Sequence, residues 1–154
     1  KRVMMANLAQ TVNVLQSILL TEGDRLVKTP TYHVFDLYKA HQNGTAVYCY
    51  TDPVKAAENG KAPMVSASAS VKDGVMTVTL ANCSLSETAD VSAALCHFSC
   101  TQAKARILCA DTHAFNDFDH PEDVVIQPCT AELDSDGLHV ILPPCSVVAV
   151  TLMG

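Results

Sequence analysis

Two runs of alternating residues around an Asp-Gly pair constrain the fold of this chain more than any other feature. The run VSASASV lies before Asp73-Gly74, and the run VMTVTLANCS begins directly after it. Alternation with period two puts successive side chains on opposite faces of a strand, and Asp-Gly between two such runs is a strong signal for a tight turn. Residues 65–84 are therefore predicted to form a β-hairpin.

Short β-rich segments continue on both sides of this hairpin, and a second tight turn is predicted at Asp136-Gly137. The segments are TAVYCYTDP, ADVSAALCHFS, AKARILCAD, DVVIQPCTAEL, GLHVILP and CSVVAVTL. Many short strands with turn signals at regular intervals are typical of an antiparallel β-sandwich or jelly roll. We therefore predict a mainly β fold, with a sandwich domain over residues 45–154.

The segment TPTYHVFDLYKAHQNG, residues 29–44, has the pattern of one complete helix. Thr29 is suited to cap it, Pro30 fits the first helical position, and Gly44 is predicted to end it with a positive φ. A predicted apolar stripe consists of Val34, Leu37, Tyr38 and His41, widened by Phe35. Packing or capping is the predicted role of His33 and His41, and a charged His41 would interact favourably with the helix dipole.

The first 28 residues predict a helix, a strand and a loop. Met5, Leu8, Val12 and Leu15 recur at spacings of three and four, as on one face of a helix. The apolar run Ile18 to Leu20 suits a strand buried on both faces, as in a parallel sheet, and GDRLVKT is predicted to be a loop. Helix, strand and helix are too little for a domain, so residues 1–44 either pack on the sandwich or are a remnant of a larger α/β domain.

Charge and cysteine content narrow the possible partners and compartments. The chain has a formal charge of −6, and its basic residues form no stripe, which argues against nucleic acid as a partner. No apolar run approaches the ~20 residues of a membrane span. Seven cysteines are an odd, scattered set, poor evidence for a disulfide framework, so we expect a reduced, cytoplasmic setting.

Two groups of residues could suggest a metal, and neither has the spacing of a known site. Cys96, His97, Cys100 and Cys109 fit no zinc knuckle, and a strand would put Cys96 and Cys100 on one buried face. The loop 111–123 contains Asp111, His113, Asp117, Asp119 and His120, which match no EF-hand. No phosphate-binding loop, dinucleotide fingerprint or nucleophile elbow occurs, so neither a metal nor a cofactor is predicted.

The residues RVMMANLAQTVNVLQSILLTEGDRLVKTPTYHVFDLYKAHQ resemble the last helix–strand–helix of the catalytic barrel in family 51 α-L-arabinofuranosidases. Further along, VTLANCSL, H--N-FD-P and LPPCSVVA resemble the C-terminal domain of the same family. The resemblance implies a (β/α)8 barrel followed by a β-sandwich, with residues 1–44 as an incomplete end of the barrel. It also implies a sandwich that borrows a strand from the extreme N-terminus, and a homo-oligomer.

The resemblance further implies an exo-acting, retaining glycosidase that removes arabinofuranosyl groups from arabinan and arabinoxylan oligosaccharides. Its two catalytic glutamates stand about 5 Å apart at the ends of the fourth and seventh barrel strands. Both strands would lie upstream of Lys1, so no catalytic residue is expected in this chain. We expect this part to be inactive alone and to act in structure and assembly, with apolar side chains such as Leu8, Val12 and Leu15 exposed.

Two residues in the loop after the last barrel strand are candidates for substrate binding. Glu22 ends the predicted strand, where barrel enzymes carry functional groups, although it could simply pair with Arg25 or Lys28. Lys28 is at a position where some family members have a polar residue that contacts the sugar, a Gln in one branch, although it could also be a solvated lysine. In the 111–123 loop, Asn116 and Asp119 are predicted to stabilise the fold through hydrogen bonds.

A second hypothesis is that the sandwich is a non-catalytic carbohydrate-binding module. Such modules usually stack sugars on exposed aromatic side chains. The chain has no Trp, and aromatic residues make up 5% of it. Composition therefore favours the structural role over a sugar-stacking face.

Overall fold

The computed structural model describes residues 7–8, 11–15, 17–52, 56–57, 60 and 62–154. One α-helix, α1, spans Pro30–Tyr38 in this described part. The strands are β1 Leu19–Glu22, β2 Arg25–Lys28, β3 Thr45–Val47, β4 Val65–Lys72, β5 Val75–Asn82, β6 Ala89–Ala93, β7 Gln102–Cys109, β8 Gln127–Cys129, β9 Glu132–Leu133, β10 Leu138–Leu142 and β11 Ser146–Met153.

Two antiparallel sheets form the body of the molecule and confirm the predicted mainly β architecture. The larger sheet has the order β3-β4-β5-β11-β7-β8, and the smaller has the order β6-β10-β9. Apolar residues of both sheets meet in one buried cluster, which includes Leu80, Val148 and Val150 from the larger sheet and Val140 and Leu142 from the smaller. The cluster is the sandwich core, because the inner faces of the two sheets bury each other.

The turn between β4 and β5 has the predicted form. Lys72 pairs with Val75 across it, and Asp73 and Gly74 both have positive φ, at 50° and 79°. Positive φ at both central residues defines a type I′ turn, whose twist matches that of the flanking strands. The local sequence therefore sets the register of the longest hairpin in the described chain.

Helix α1 covers the outer face of the larger sheet, so the molecule has three layers. Leu37 is fully buried there and forms a second apolar cluster with Leu108, Val124 and Ala149. Because the larger sheet is covered on both faces, β5 is buried along nearly its whole length, and even Thr79 on its outer face is 1% exposed. The helical segment thus packs on the sandwich, one of the two alternatives that the sequence left open.

The beginning of α1 confirms the sequence prediction, whereas its buried face differs slightly from it. Thr29 caps the helix by accepting a hydrogen bond from the Tyr32 amide, and Pro30 is at the first helical position. The buried residues are His33 and Leu37, and Phe35 is 51% exposed. The buried face of α1 is therefore rotated by about one residue relative to the predicted apolar stripe, because the sheet contacts the side of the helix that carries His33.

The exit from the helix uses Asn43 where Gly44 was predicted. A 3-10 turn over Lys39–His41 follows α1, and Asn43 takes the positive φ, at 61°. Gly44 is needed for space, since a Cβ there would lie 3.1 Å from both the His41 carbonyl oxygen and Ser70 Oγ. The prediction of a positive φ at Gly44 was wrong because asparagine also tolerates the left-handed region.

The predicted parallel strand at Ile18 to Leu20 was wrong in its pairing. Strand β1 pairs with β2 in an antiparallel hairpin, and Leu19 and Leu20 are half-buried. Strand β2 was predicted to be a loop. Gly23, with φ of 61°, is the first of the two central residues of the connecting turn, as in type II′ turns, so the hairpin is locally encoded.

The predicted helix over residues 1–16 falls mainly outside the described residues. Those that are described, 7–8 and 11–15, lie in no helix, and Val12 forms an isolated parallel bridge with Leu19. The prediction was therefore wrong for this described part. The expected exposure is confirmed for Leu8, Val12 and Leu15, whose exposed fractions are 40%, 41% and 90%.

Candidate functional site

The two candidate substrate-binding residues lie at opposite ends of the β1–β2 hairpin. Glu22 pairs with Arg25 beside the turn, and Lys28 pairs with Leu19 at the other end. Since each strand residue advances the backbone by ~3.4 Å, the two positions are separated by ~10 Å along the hairpin. The two side chains therefore occupy different parts of this element.

Glu22 forms an ion pair with the guanidinium of Arg25. The side chains of Glu22 and Arg25 are 62% and 53% exposed. An ion pair this exposed contributes little to stability, because water screens both charges. Glu22 is thus an accessible carboxylate at the tip of the hairpin.

Lys28 lies at the rim of a cavity of about 420 Å³ between α1 and the edge of the larger sheet. Its ammonium group stands 5.0 Å from the centre of the Tyr32 ring, a cation–π geometry. The other polar side chains that line the cavity are His33, Asp36, Arg106 and Gln127. This cluster gives Lys28 a polar, partly enclosed surrounding that Glu22 lacks.

Asp36 organises the charges on the helix side of this cavity. Its carboxylate accepts hydrogen bonds from Lys39 in the 3-10 turn after α1 and, at 2.9 Å, from Arg106 on β7. The hydrogen bond from Lys39, with that from Arg106, lowers the pKa of Asp36. Asp36 therefore holds Arg106 in place.

His33 is the buried member of the cavity lining. Burial lowers its pKa, the positive charge of Lys28 lowers it further, and Asp36 opposes the shift. Its Nε2 has no hydrogen-bond partner within the part of the chain that the structure describes. The imidazole is therefore expected to be neutral at pH 7, which leaves Lys28 and Arg106 as the positive charges of the cavity.

Asn116 links the 111–123 loop to the hairpin, and its predicted hydrogen-bonding role is confirmed. Its Nδ2 donates to the carbonyl oxygens of Lys28 and Val124, each at 2.8 Å, and its Oδ1 accepts from the Val124 amide at 2.7 Å. Asp119 also forms a hydrogen bond in this loop, through its backbone amide. Asp117 is the residue that accepts, from the amides of Asp119 and His120, and the bond from His120 is the main cause of its lowered pKa.

The described residues contain no group of three or more His, Cys, Asp or Glu side chains with the arrangement of a metal site. All seven cysteines are free. Cys96 is exposed and Cys100 half-buried, both outside a strand, so the expectation that they share a buried strand face was wrong. The segment between β6 and β7 turns at His97, whose φ of 61° is incompatible with a continuous strand.

A second, larger cavity of about 750 Å³ opens between the two sheets. Its walls are apolar residues of β4 and β5 on one side and the edge strand β6 on the other. Tyr48 and Tyr50 line it as well, with exposed fractions of 88% and 71%. These tyrosines are the side chains that a sugar-stacking face would use.

Sequence reasoning missed Tyr32, Asp36 and Arg106 as neighbours of Lys28. Tyr32 is four residues from Lys28, but its contact depends on the chain direction at Thr29. Arg106 is 70 residues from Asp36 along the chain, so no local spacing could reveal their contact. The only local signal was the clustering of Lys28, Tyr32 and His33 around the start of α1.

Comparison with known proteins identifies the family. The family model described as α-L-arabinofuranosidase C-terminal domain matches residues 1–146. The chain is 36% identical over 156 residues to an intracellular exo-α-L-arabinofuranosidase from Bacteroides ovatus. The alignment covers 98% of this chain and 30% of that protein, so the chain spans about a third of its relative.

Solved structures agree with this relationship. The fold matches that of the family 51 arabinofuranosidase from Xanthomonas axonopodis pv. citri with a TM-score of 0.91 and 36% identity, over 99% of this chain and 32% of the other. The α-L-arabinofuranosidase from Thermotoga maritima, in its arabinose complex, matches with a TM-score of 0.81 and 24% identity, over 96% of this chain and 33% of the other. At that lower identity the likeness shows the fold alone. Together, the family match and the 36% identical relatives show that this chain belongs to the family of α-L-arabinofuranosidase C-terminal domains.

Proposed function

We propose that this chain is the C-terminal part of an exo-acting, retaining α-L-arabinofuranosidase that releases terminal arabinofuranosyl groups from arabinan and arabinoxylan oligosaccharides. The observation that carries the proposal is the family match over residues 1–146. The relatives at 36% identity are whole arabinofuranosidases, and this chain spans about a third of each. The catalytic glutamate pair belongs, in this proposal, to the remaining two thirds.

In this proposal, residues 1–44 lie on the barrel side of the enzyme and residues 45–154 form its sandwich domain. Exposed apolar side chains on the N-terminal side support this division. Leu15, Leu26 and Phe35 are 90%, 55% and 51% exposed, which is costly for residues of this size unless another surface covers them. The missing part of the barrel would be that surface.

The role of this chain is structural, and the cleft between its sheets supports that role. Strand β6 is an edge strand, so one side of its backbone is available for pairing, and the apolar cavity of about 750 Å³ lies beside it. An added strand from the rest of the enzyme would cover both. Homo-oligomerisation is part of the same proposal, since a partner copy could cover further apolar surface.

We also propose a cytoplasmic location, because the relative from Bacteroides ovatus is named as an intracellular enzyme. Among the described residues, no helix combines the length and the apolar character required to cross a bilayer. The free state of all seven cysteines agrees with a reducing compartment.

Within the enzyme, Lys28 is proposed to contact the sugar, and Glu22 is proposed to lie at the rim of the site. Support for Lys28 comes from its position at a polar cavity with Tyr32 and Arg106. A cavity with a cation and an aromatic ring suits a sugar, which presents hydroxyl groups to one and carbon–hydrogen faces to the other. Glu22 is exposed and paired with Arg25, as expected for a rim position.

The experiment is steady-state hydrolysis of an aryl α-L-arabinofuranoside by the whole enzyme and its variants. Loss of a hydrogen bond from a charged group costs about 1.5–3 kcal/mol, so Lys28→Met is expected to lower kcat/KM about 10- to 100-fold. Glu22→Gln is expected to change it by less than about threefold, because the pair with Arg25 is screened by water. The control is Lys72→Met, at the end of β4, which is expected to match wild type; a Lys28→Met enzyme as active as that control would remove Lys28 from the site.

A further inference from the structure

The 111–123 loop of the sandwich contacts the β1–β2 hairpin at both of its ends. Asn116 meets the hairpin at Lys28, where the chain leaves β2. The ring of Phe118 lies 4.8 Å from the guanidinium carbon of Arg25, beside the hairpin turn. Two contacts at the two ends of a four-residue strand restrain both its position and its direction.

The side-chain amide of Asn116 is buried and forms three hydrogen bonds. Asn116 is 3% exposed, and its two donors and its acceptor are occupied by Lys28 and Val124. Two donors and an acceptor on so short a side chain are found only in asparagine, because aspartate lacks the donors and glutamine is longer. The carboxamide therefore joins Lys28 of the hairpin to Val124 of the sandwich.

The opposite side of the Lys28–Thr29 junction is held by the segment before β1. The hydroxyl of Thr29 donates to the Ser17 carbonyl oxygen at 2.7 Å, and the Thr29 amide donates to the Ile18 carbonyl oxygen at 3.2 Å. Thr29 also caps α1. The junction thus sits between the hairpin, the helix and the 111–123 loop, and Asn116 supplies the bond from the sandwich.

The loop is itself stiffened where it meets the hairpin. Asp117 accepts hydrogen bonds from the amides of Asp119 and His120, at 2.9 Å and 2.6 Å, and its own amide donates to the His120 carbonyl oxygen. These bonds close a tight turn around Phe118. The aromatic ring is consequently presented to Arg25 by a fixed backbone.

We propose that Asn116 is a positioning residue, through which the sandwich fixes the Lys28 end of the hairpin. Asn116 reaches the Lys28 backbone and so sets the direction in which the lysine side chain enters the cavity, while Phe118 restrains the other end of β2. The consequence for sugar binding rests on the proposed function of Lys28. The restraint of the hairpin does not rest on it.

The first test is amide hydrogen exchange of this chain, followed by mass spectrometry over residues 19–28. Asn116→Ala removes one buried hydrogen bond to the hairpin and is expected to make amide exchange in the hairpin roughly tenfold faster. Phe118→Leu, at a partly exposed site where folding is little affected, is expected to accelerate exchange of the same peptide by a smaller factor. It keeps the test decisive if Asn116→Ala fails to fold.

The matched control is Asn82→Ala. Asn82 is also 3% exposed, and its Nδ2 donates to the carbonyl oxygens of Glu87, Leu142 and Pro143, all within the sandwich. This variant is expected to lose similar global stability and to leave exchange over residues 19–28 at its wild-type rate. Equal acceleration by both asparagine variants, or none from Asn116→Ala and Phe118→Leu, would overturn the proposal.

The second test is kinetic and uses the whole enzyme. Asn116→Ala is expected to raise KM for an aryl arabinofuranoside about tenfold while kcat stays within about twofold, because positioning of Lys28 affects binding. Asn82→Ala is expected to change neither constant. If Lys28→Met raises KM and Asn116→Ala does not, the positioning role fails and the proposed function stands. If the wild-type enzyme does not hydrolyse the aryl arabinofuranoside, the proposed function fails, and hydrogen exchange alone decides the positioning role of Asn116.

Discussion

At the level of single residues, His41 connects the end of the helical segment to the larger sheet. Its Nδ1 lies 2.7 Å from Ser70 Oγ on β4, and its Nε2 lies 3.1 Å from Thr79 Oγ1 on β5. Burial lowers the pKa of His41 from its ordinary value of 6.5. The sequence suggested that a charged His41 would favour the helix end, but its buried position in the fold favours the neutral form.

The lowered pKa values of His33 and His41 predict that stability falls in mildly acidic solution. When the pKa of a histidine is lower in the folded than in the unfolded protein, the unfolded state takes up the proton at a higher pH. As the pH drops below 6.5, protonation of these two histidines therefore favours the unfolded state. The two histidines therefore contribute fully to the free energy of unfolding above pH 6.5. This contribution declines as the pH falls from 6.5 toward their folded-state pKa values. Carboxylates whose pKa is lowered, such as Asp36, lose their contribution to the free energy of unfolding only when the pH falls below their ordinary pKa of 3.8.

His41→Gln tests this pH dependence in urea unfolding between pH 7.5 and 5. The substitution is expected to cost about 1 kcal/mol at pH 7.5, since at least one hydrogen bond is weakened. It is also expected to reduce the fall in unfolding free energy toward pH 5, leaving the part that belongs to His33. The control is His113→Gln, because the side chain of His113 is 95% exposed; a slope that is the same in both variants would contradict the assignment to His41.

At the level of secondary structure, helix α1 and the larger sheet share an apolar contact that the sequence could not locate. Leu37 is 0% exposed and packs with Leu108 of β7 and Ala149 of β11. Val124, from the segment after the 111–123 loop, completes the cluster. The helix is therefore an integral layer of the fold rather than an appendage to the sandwich.

Leu37→Ala is expected to lower the free energy of unfolding by about 2–5 kcal/mol, the range for buried leucine truncation. Because α1 packs on the central strands, the sheet and the helix should unfold in one transition in both proteins. The comparison is Phe35→Ala on the exposed side of the helix, for which we expect a change of less than about 0.5 kcal/mol. Urea unfolding followed by circular dichroism measures both variants; similar losses from both would argue against the contact between Leu37 and the sheet.

Elements that carry their own turn chemistry could be predicted from the sequence, and those that depend on distant partners could not. Asp73-Gly74 fixed the β4–β5 hairpin, and Thr29 with Pro30 fixed the start of α1. The hairpin β1–β2 was mistaken for a parallel strand and a loop, because the apolar run Ile18 to Leu20 also suits a strand buried on both faces. Gly23 was the local signal that could have corrected this.

In the candidate site, too, single residues could be predicted from the sequence, whereas contacts between distant residues could not. Lys28 was identified through the family resemblance, and Asn116 was expected to form hydrogen bonds. The sequence could not show that these two residues meet, since 88 residues separate them and their contact forms only when the loop packs on the hairpin. Asp119 was expected to form hydrogen bonds and does so through its amide, whereas the accepting carboxylate is that of Asp117. Only the backbone conformation decides which carboxylate of this short acidic segment accepts the amides.

For the molecule as a whole, three layers explain why so short a chain has a well-buried central sheet. Strand β11 lies in the middle of the larger sheet, and Val148, Val150 and Leu152 on its inner face are all 0% exposed. Its outer face is covered in part by α1. The surface that stays apolar, including Leu15 and Leu26, belongs to the side proposed to meet the barrel.

We propose that this chain is part of an arabinofuranosidase and does not contain its catalytic carboxylates. The most direct measurement is the release of 4-nitrophenol from 4-nitrophenyl α-L-arabinofuranoside by the chain alone, at high protein concentration, beside the whole enzyme. We predict rapid release by the whole enzyme and no release above buffer by the chain. Release by the wild-type chain that disappears in the Glu22→Gln variant would contradict the account.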